Sequence, residues 1–345
     1  MKARSAAKCF ALGAMLTLAG CIGPQQSAVD PAGAQADKIA ALWWFFLWLL
    51  TSIFVIVMAL TIWTLFRRHR GIEQEPLEGT HRPSEETERK LTRIVTGATI
   101  LTVLILFVLL GASVFTGKSV ADLGKAKNGM VVELTGNQWW WQVQYDNPDA
   151  SRVLVTANEI HIPVGRPVMI MGRSNDVIHS FWVPNLHGKR DLIPSRVTTE
   201  WIEADHPGEF RGQCAEFCGL QHAHMILWVI AEPEAKFDAW MNAQLKPSVP
   251  PSDPVKQHGQ QVFLNNECEF CHSIRGTTAA GQVAPDLTHF ASRRGIAANT
   301  LPNSMGNLAG WIVDPQSIKP GNHMATIALK PDDLQPLIEY LESLK

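Results

Sequence analysis

The sequence predicts a multidomain fold in which a two-helix membrane hairpin is followed by a β-rich domain and then by a small helical domain. Three observations support this prediction. Residues 41–66 and 94–115 carry no charge, short segments rich in β-branched and aromatic residues follow them, and a Pro-rich stretch at 247–254 precedes a part with helical patterns. At ~100–200 residues per domain, a chain of 345 residues also leaves room for about two soluble domains.

The composition excludes several classes of protein. The formal net charge is only −2, from 30 basic and 32 acidic residues, so there is no bulk positive charge with which to bind nucleic acid. Hydrophobic residues make up 46% and charged residues 18% of the chain, which argues against a disordered protein. Six cysteines are too few for a disulfide scaffold in a chain of this size, so we expect the cysteines to have individual roles.

The N-terminus has the pattern of a secretory signal peptide. Basic residues precede an apolar run at 9–20, and its 12 residues are too few to span a bilayer. The run ends in Leu-Ala-Gly before Cys21, which resembles the cleavage motif of bacterial lipoproteins. We therefore predict that residues 1–20, including Cys9, are removed, and that Cys21 becomes the lipidated first residue of the mature chain. An ordinary cleavage site with an incidental cysteine is the alternative.

The segments 41–66 and 94–115 are predicted to be transmembrane helices. At ~1.5 Å per residue, each is long enough to cross the ~30 Å hydrocarbon layer. Arg and Lys residues crowd both ends of the intervening loop, 67–93, which places it in the cytoplasm by the positive-inside rule. Everything from residue 118 onwards is then exported, in agreement with the signal peptide. The expected location is the bacterial inner (cell) membrane, multi-pass, with the later domains on the periplasmic or outer face.

Residues 118–246 are expected to form the β-rich domain. Short segments with β-branched and aromatic residues alternate there with turn residues, which is typical of a β-sandwich or barrel. The predicted strands are Met130–Leu134, Trp139–Tyr145, Glu159–Ile162, Pro167–Arg173, Thr198–Glu203 and Met225–Ala231.

The end of this β-rich domain carries a cluster of potential metal ligands. Soft thiolate and thioether sulfurs together with imidazole favour copper, whereas zinc sites seldom use methionine. A mononuclear blue-copper site would leave one cysteine over, but two thiolates that bridge two coppers, with one histidine on each copper, use both. The predicted ligands are the side chains of His179, Cys214, Cys218, His222 and Met225, with the carbonyl oxygen of Glu216 as a further weak ligand.

Two other interpretations of the cluster stay open at this point. A disulfide between Cys214 and Cys218 is permitted in an exported protein, although it would leave the histidines and the methionine without a role. His224, next to Met225, is the alternative to His222.

The C-terminal part carries a second cofactor motif. Cys268, Cys271 and His272 form Cys-x-x-Cys-His, the sequence that attaches c-type haem. The two thiols take the haem vinyl groups as thioethers, and the imidazole binds the iron. A redox Cys-x-x-Cys or half of a zinc site is the alternative, but no second pair of ligands lies nearby in the sequence.

Helical patterns at 253–266 and 332–344 bracket this motif, with Ser252 as the candidate N-cap of the first. This arrangement resembles a small all-α class I cytochrome c domain, over residues 255–345. Such a domain uses a downstream methionine as the sixth iron ligand, which raises the haem potential.

The expected sixth ligand is Met324, because it lies just before the last helical segment. Met305 and His323 are the alternatives. The segment around Pro285 resembles the one that orients the proximal histidine through its carbonyl oxygen.

The copper-ligand pattern resembles that of cytochrome c oxidase subunit II. Cys-x-Glu-x-Cys-x3-His-x2-Met follows a two-helix hairpin and a distant histidine in that family, as it does here. Trp140 stands where the family usually has tyrosine, and Ser195 stands in place of a glycine. The resemblance covers roughly residues 35–245, and the further similar segments are 138–141, 179–184 and 191–196.

The resemblance implies a cupredoxin-like fold for residues 118–246, with a dinuclear copper centre, CuA. Glu216 would contribute its carbonyl oxygen to copper and its carboxylate to a Mg²⁺ shared with the catalytic subunit, in keeping with the oxygen ligands of that hard cation. Trp139 would lie on the electron-entry surface; a buried aromatic of the barrel core is the other interpretation. Asp191 would join the polar network near Mg²⁺ or be a solvated turn residue.

The two cofactor sites together imply a function. A haem tethered beside a copper centre makes electron transfer intramolecular, at a millimolar effective concentration. Neither membrane span contains histidine, so the site of O₂ reduction must lie in another polypeptide. The resemblance implies subunit II of a proton-translocating caa3-type cytochrome c oxidase. Electrons from a cytochrome c or bc1-type donor would pass through haem c and CuA to the haem of subunit I. The alternatives are the electron-entry subunit of a CuA-containing nitric oxide reductase and a membrane-tethered electron carrier.

Overall fold

The computed structural model describes residues 26–68, 84–123 and 129–345. The chain forms two compact units, one of residues 38–122 and the other of the residues on either side. The predicted signal peptide with Cys9 and the predicted lipidation site, Cys21, lie outside the described residues, as does most of the predicted loop at 67–93.

Two long helices account for most of the unit at 38–122. They are α1 (Ala34–Arg68) and α2 (Glu85–Leu123), and both are long and apolar enough to cross a membrane. Large apolar side chains face outward on each helix; Trp48 is 65% and Phe107 66% exposed. Helices that are apolar on all sides are stable in lipid rather than in water. Both helices extend beyond the uncharged spans 41–66 and 94–115, because polar turns continue them at each end.

The other unit begins with a sandwich of two five-stranded sheets, so the predicted β-sandwich is confirmed. The sheet orders are β3-β2-β1-β5-β8 and β4-β10-β9-β6-β7. Buried side chains alternate with partly exposed ones along β2 and β9, as in strands with one face on a core. The strands are β1 Met130–Asn137, β2 Trp140–Tyr145, β3 Leu154–Ala157, β4 Glu159–Pro163, β5 Val168–Ser174, β6 His179–Trp182, β7 Arg190–Leu192, β8 Thr198–Ile202, β9 Gly208–Cys214 and β10 Ile226–Glu232.

Several of these elements were not predicted from the sequence. Strands β3 and β7 have only four and three residues, and β9 contains no β-branched residue. The helix α3 (Glu234–Gln244) was also missed; its Phe237 packs into the sandwich core. Of the missed strands, β9 helps to position the predicted copper ligands, because it carries Cys214.

A small helical domain follows the sandwich in the same unit. Its helices are α4 (Pro254–Asn265), α5 (Cys268–Cys271), α6 (Met305–Val313), α7 (Pro315–Ile318) and α8 (Leu334–Leu341), with a two-stranded ribbon of β11 (Gly295–Ile296) and β12 (Leu301–Pro302).

The helices α4 and α8 pack against each other closely. A Cβ on Gly259 would overlap the Pro336 carbonyl oxygen, so this helix contact requires glycine. The predicted N-cap of α4, Ser252, was wrong: the Asp253 carboxylate accepts the Val255 N–H at 2.8 Å. Asp253 is the cap because it directly precedes a proline at the first helical position.

The helical domain is fixed to the sandwich by polar contacts. The Arg275 guanidinium donates to the carbonyl oxygens of Gln244 and Leu245, just before the Pro-rich stretch. Arg294 forms an ion pair with Glu209, and its guanidinium carbon lies 4.4 Å from the Trp228 ring centroid. The two domains therefore belong to one compact unit.

Candidate functional site

The predicted copper ligands come together where β6 begins and β9 ends. His179 is the first residue of β6 and Cys214 the last of β9, and the two strands pair in antiparallel fashion. The Cys214 and Cys218 sulfurs are 3.7 Å apart. His179 Nδ1 lies 3.9 Å from Cys214 Sγ, and His222 Nδ1 lies 3.6 Å from Cys218 Sγ. Each sulfur thus has one imidazole beside it.

Both cysteines of this pair are free thiols. The distance between their sulfurs far exceeds the ~2.05 Å of a disulfide bond, so the two cysteines do not form a disulfide. The hydrogen bond with Cys218 and the nearby His179 imidazole lower the pKa of the Cys214 thiol below its usual range. A thiolate is the form that binds metal. The ligand atoms of His179, Cys214 and Cys218 all lie within 4.8 Å of one another, and this donor set fits copper.

The two predicted weak ligands are also within reach. Met225 Sδ lies 3.9 Å from Cys218 Sγ, and the Glu216 carbonyl oxygen lies 3.2 Å from Cys214 Sγ. His224, the alternative to His222, instead has its Nδ1 2.7 Å from Gln221 Oε1. The geometry therefore groups the predicted ligands and leaves His224 out.

The orientation of His179 is set by a residue that sequence reasoning missed. Asp176 Oδ1 lies 2.7 Å from His179 Nε2, which leaves Nδ1 directed at the sulfurs. Carboxylates commonly orient metal-binding histidines in this way. A Cβ on Gly136 would lie 2.6 Å from the His179 ring, so the strand beneath the ring also requires a glycine.

Trp139 packs against residues 214–225, which we call the copper loop because they carry most of the predicted copper ligands. Its indole N–H donates to the Cys218 carbonyl oxygen at 2.9 Å, and Gln138 Nε2 donates to the same oxygen at 2.7 Å. Gly219 has a φ of +112°, and a Cβ there would lie 3.0 Å from the Trp139 ring, so a side chain does not fit. Trp139 is 7% exposed and belongs to the sandwich core, and it also touches this loop.

The Glu216 carboxylate takes part in an ion-pair network. Lys189 Nζ lies 2.9 Å from Glu216 Oε2 and 3.1 Å from Asp191 Oδ1, and hydrogen bonds to both carboxylates raise the pKa of Lys189. Ser180 Oγ donates to the same Asp191 oxygen at 2.8 Å. Both residues predicted near Mg²⁺ thus meet at Lys189.

The predicted haem-attachment residues line a cavity of about 480 Å³ between the helical domain and the sandwich. Cys268, Cys271 and His272 border it on the helical-domain side, and Trp139 on the sandwich side. His272 Nδ1 donates to the Pro285 carbonyl oxygen at 2.7 Å, which leaves Nε2 as the free ring nitrogen. Burial lowers the pKa of His272, which favours the neutral imidazole that binds iron. The cavity and the two thiols fit a covalent haem.

The candidates for the sixth iron ligand differ in position. Met324 lines the cavity, and its segment is held by a hydrogen bond from Gln316 Nε2 to the Met324 carbonyl oxygen at 3.1 Å. Met305 begins α6, is 46% exposed and is not among the described residues that line the cavity. His323 also borders the cavity, with its ring 6.2 Å from that of Trp139.

Lys319 is a further residue of this cavity that the sequence pattern did not indicate. It lines the same cavity and is only 2% exposed. A lone lysine between isoleucine and proline carries no recognisable motif, so only the fold could identify it.

The fold and the two ligand sets define a class of protein: a membrane-anchored electron-transfer protein with a copper-binding, cupredoxin-like domain and a c-type cytochrome domain. Comparison with known proteins narrows this class. The family described as cytochrome c oxidase subunit II, periplasmic domain, matches residues 147–232, and the cytochrome c family matches residues 257–345.

Two relatives are similar over nearly the whole chain. The cytochrome c oxidase subunit 2 of Alkalihalophilus pseudofirmus is 36% identical, over 96% of this chain and 94% of the relative. The corresponding protein of Bacillus sp. strain PS3 is 34% identical, also over 96% of this chain and 94% of the relative. The chain therefore belongs to the cytochrome c oxidase subunit II family, and it carries a C-terminal cytochrome c domain. The predicted family is confirmed.

Proposed function

We propose that this chain is the electron-entry subunit of a proton-translocating caa3-type oxidase. Electrons from a cytochrome c or bc1-type donor would pass through haem c and CuA to the haem of subunit I, where O₂ is reduced to water. When bound, haem c and the two coppers supply the one-electron chemistry. The proposed domains, 118–246 and 255–345, joined by 247–254, each hold one of these sites.

One observation carries this proposal: Trp139 connects the two sites. Its side chain borders the cavity that Cys268 and His272 also line. Its indole N–H donates to the carbonyl oxygen of Cys218, a proposed copper ligand. A single buried residue thus borders the cavity that the haem-attachment motif lines and also contacts the copper loop, which supports its proposed role in electron entry.

The proposed copper ligands have distinct roles. Cys214 and Cys218 would hold both metals through their thiolates, and His179 and His222 would each supply one imidazole. Met225 and the Glu216 carbonyl oxygen would be the weak ligands. The support is the donor chemistry and the pairing of each sulfur with one imidazole at less than 4 Å.

The Glu216 carboxylate is proposed to bind a Mg²⁺ shared with subunit I. Its side chain is 43% exposed and lies beside Lys189, so a partner subunit can reach it. One carboxylate with several waters is a common Mg²⁺ environment. In the haem site, Cys268 and Cys271 would form the thioethers, and His272 and Met324 would bind the iron.

The membrane arrangement follows from the same proposal. The helices α1 and α2 would anchor the chain in the inner (cell) membrane beside subunit I and other oxidase subunits, with a lipid on Cys21. The family to which residues 147–232 belong is described as a periplasmic domain, which supports the outer face as the location of the copper site.

The experiment that tests this function is an assay of the intact complex, purified through this chain. We expect O₂ uptake with reduced cytochrome c as the donor, and we expect Cys218→Ser to abolish it. Val249→Ala, at an 83% exposed position in the Pro-rich stretch, is the control that should leave it unchanged. Nitric oxide consumption without O₂ uptake would indicate the nitric oxide reductase instead. Copper and haem reduction with neither activity would indicate an electron carrier.

A further inference from the structure

Lys319 has an unusual position between the two domains. It directly follows α7, and its ammonium donates to three carbonyl oxygens: those of Trp139 at 2.8 Å, His224 at 2.7 Å and Ala297 at 3.0 Å. The first acceptor precedes β2 and the second lies on the copper loop, so both belong to the sandwich. The third belongs to the helical domain. An ammonium has three N–H donors, and each has an acceptor here.

Burial of the Lys319 amine costs free energy unless its hydrogen bonds are satisfied. Lys319 is 2% exposed, and its three hydrogen-bond partners are neutral carbonyls rather than a carboxylate. Burial lowers the pKa of Lys319 to about 7, against a smaller opposing effect of Cys218. A buried amine is tolerated only when its donors are satisfied, so the three carbonyls must stay in place around it. Lys319 therefore couples their positions.

The segments around Lys319 are held by further contacts across the domain boundary. The Gln221 amide donates to the Pro320 carbonyl oxygen at 2.7 Å, and the Ile226 N–H donates to the Ala298 carbonyl oxygen at 3.3 Å. The residues 297–299 all have left-handed backbone, with φ of 53°, 56° and 59°. Left-handed backbone is unfavourable for non-glycine residues, so tertiary contacts must hold this turn.

We propose that Lys319 is a positioning residue for electron transfer between the haem and copper sites. Its ammonium ties the Trp139 backbone and the copper loop to the helical domain. The separation of the two sites is then constant and does not depend on motion of the helical domain about residues 247–254. This inference rests on the proposed function, because it requires haem c and CuA to exchange electrons.

A different role for Lys319 would be to bind a carboxylate of the haem, since it lines the same cavity. The geometry disfavours this role, because all three N–H groups already have carbonyl acceptors. The two roles predict different results. Loss of a haem contact changes the haem spectrum or potential, whereas loss of positioning changes the rate of transfer between the sites.

The test uses the full chain in its purified complex, as wild type, Lys319→Met and Lys330→Met. Met has an unbranched side chain of similar length without donors, and Lys330 is an exposed lysine of the same domain. Haem c is photoreduced, and electron arrival at copper is followed in the near-infrared. We expect Lys319→Met to slow transfer by about tenfold or more, since small displacements of reacting groups have large effects on rates.

Positioning also predicts a signature that altered redox chemistry would not produce. In Lys319→Met the transfer rate should fall as solvent viscosity is raised, because the helical domain must first reach its docked position. Wild type and Lys330→Met should show no such dependence. An unchanged rate in Lys319→Met overturns the inference, as does a changed haem potential with unchanged transfer. No transfer in wild type would instead contradict the proposed function.

A second measurement does not depend on activity or on the variants. Lysine acylation of the wild-type complex, read out by mass spectrometry, should modify Lys330 rapidly and spare Lys319. Equal modification of the two lysines would show that the domains separate in solution and would overturn the inference. Equal modification would count against the inference even if Lys319→Met fails to fold.

Discussion

The copper and haem sites of this chain are assembled in different ways. The copper ligands lie on the ends of paired strands and on one loop, whose backbone is fixed by bonds such as Cys214 N–H to the Met225 carbonyl oxygen at 3.0 Å. The proposed haem ligands come from two distant segments, and Met324 lies outside any regular helix or strand. Sites on strands are held more rigidly than sites on loops.

The structure of the haem site should depend on its cofactor more than the structure of the copper site does. The two copper-site sulfurs are 3.7 Å apart and each has its imidazole in place, within a core of buried side chains. The haem cavity, by contrast, is bordered by both domains, and the residues that line it would be linked through the haem itself. We therefore expect loss of a copper ligand to be a local event and loss of a haem ligand to spread further.

The largest expected effect is that of Cys218→Ser. It should abolish the near-infrared absorption and the mixed-valence EPR signal of a dinuclear copper centre, because a serine oxygen does not replace a bridging thiolate. The haem spectrum should stay as in wild type. Retention of both copper signals would refute the copper assignment, and a changed haem spectrum would refute the local character of the site.

Met324→Ala should convert the haem from a low-spin form to one that binds external ligands such as cyanide or carbon monoxide, since the sixth coordination position becomes accessible. Met305→Ala is the matched control, because Met305 is 46% exposed and lies away from the cavity. Absorption spectra with and without ligand are the measurement. Unchanged spectra in Met324→Ala would transfer the assignment to His323, which also borders the cavity.

Gly219→Ala should lower the free energy of unfolding of the sandwich by about 2 kcal/mol. The reason is that Gly219 has a φ of +112° and that a Cβ there would lie against the Trp139 ring. Gly306→Ala in α6 is the control: nothing lies within 4 Å of its Cβ position, and the helix should gain ~0.5–1 kcal/mol. Thermal unfolding followed at the copper and haem bands separately measures both. Equal effects of the two substitutions would show that the copper loop is less constrained than its geometry indicates.

The smallest expected effect is that of Ser195→Gly. Ser195 has a φ of +64°, a left-handed conformation that glycine adopts without strain. Relief of left-handed strain, less the extra backbone entropy of glycine, should stabilise the sandwich by about 0.5 kcal/mol. A slight rise in the unfolding temperature at the copper band checks this, and a fall would contradict it.

The fold class and the grouping of the copper ligands could be predicted because their signals are local. Uncharged spans indicate membrane helices by length alone, and five of the proposed ligands lie between Cys214 and Met225, so that one loop brings them together. The haem motif is likewise a run of five residues. Short strands such as β3 were missed, because four residues give little periodicity.

The parts that could not be predicted depend on contacts between distant segments. Nothing near Arg294 in the sequence indicates its ion pair with Glu209, and nothing near Lys319 indicates its three carbonyl partners. The proline-rich stretch predicted a spacer, but the docking of the domains is decided by side chains on either side of it. The N-cap of α4 was missed by one residue because serine and aspartate are both good caps.

The central claim is that Cys214 and Cys218 hold two copper atoms that share one unpaired electron. The most direct test is the copper content of the purified complex, compared between wild type and Cys218→Ser. We expect the wild type to hold two coppers at this site and the variant to hold at most one, because a single thiolate with two imidazoles can still bind one metal, and the mixed-valence signal should be lost in parallel. A wild-type site that holds fewer than two coppers in fully loaded and active preparations, or a variant that keeps both coppers and the mixed-valence signal, would contradict the claim.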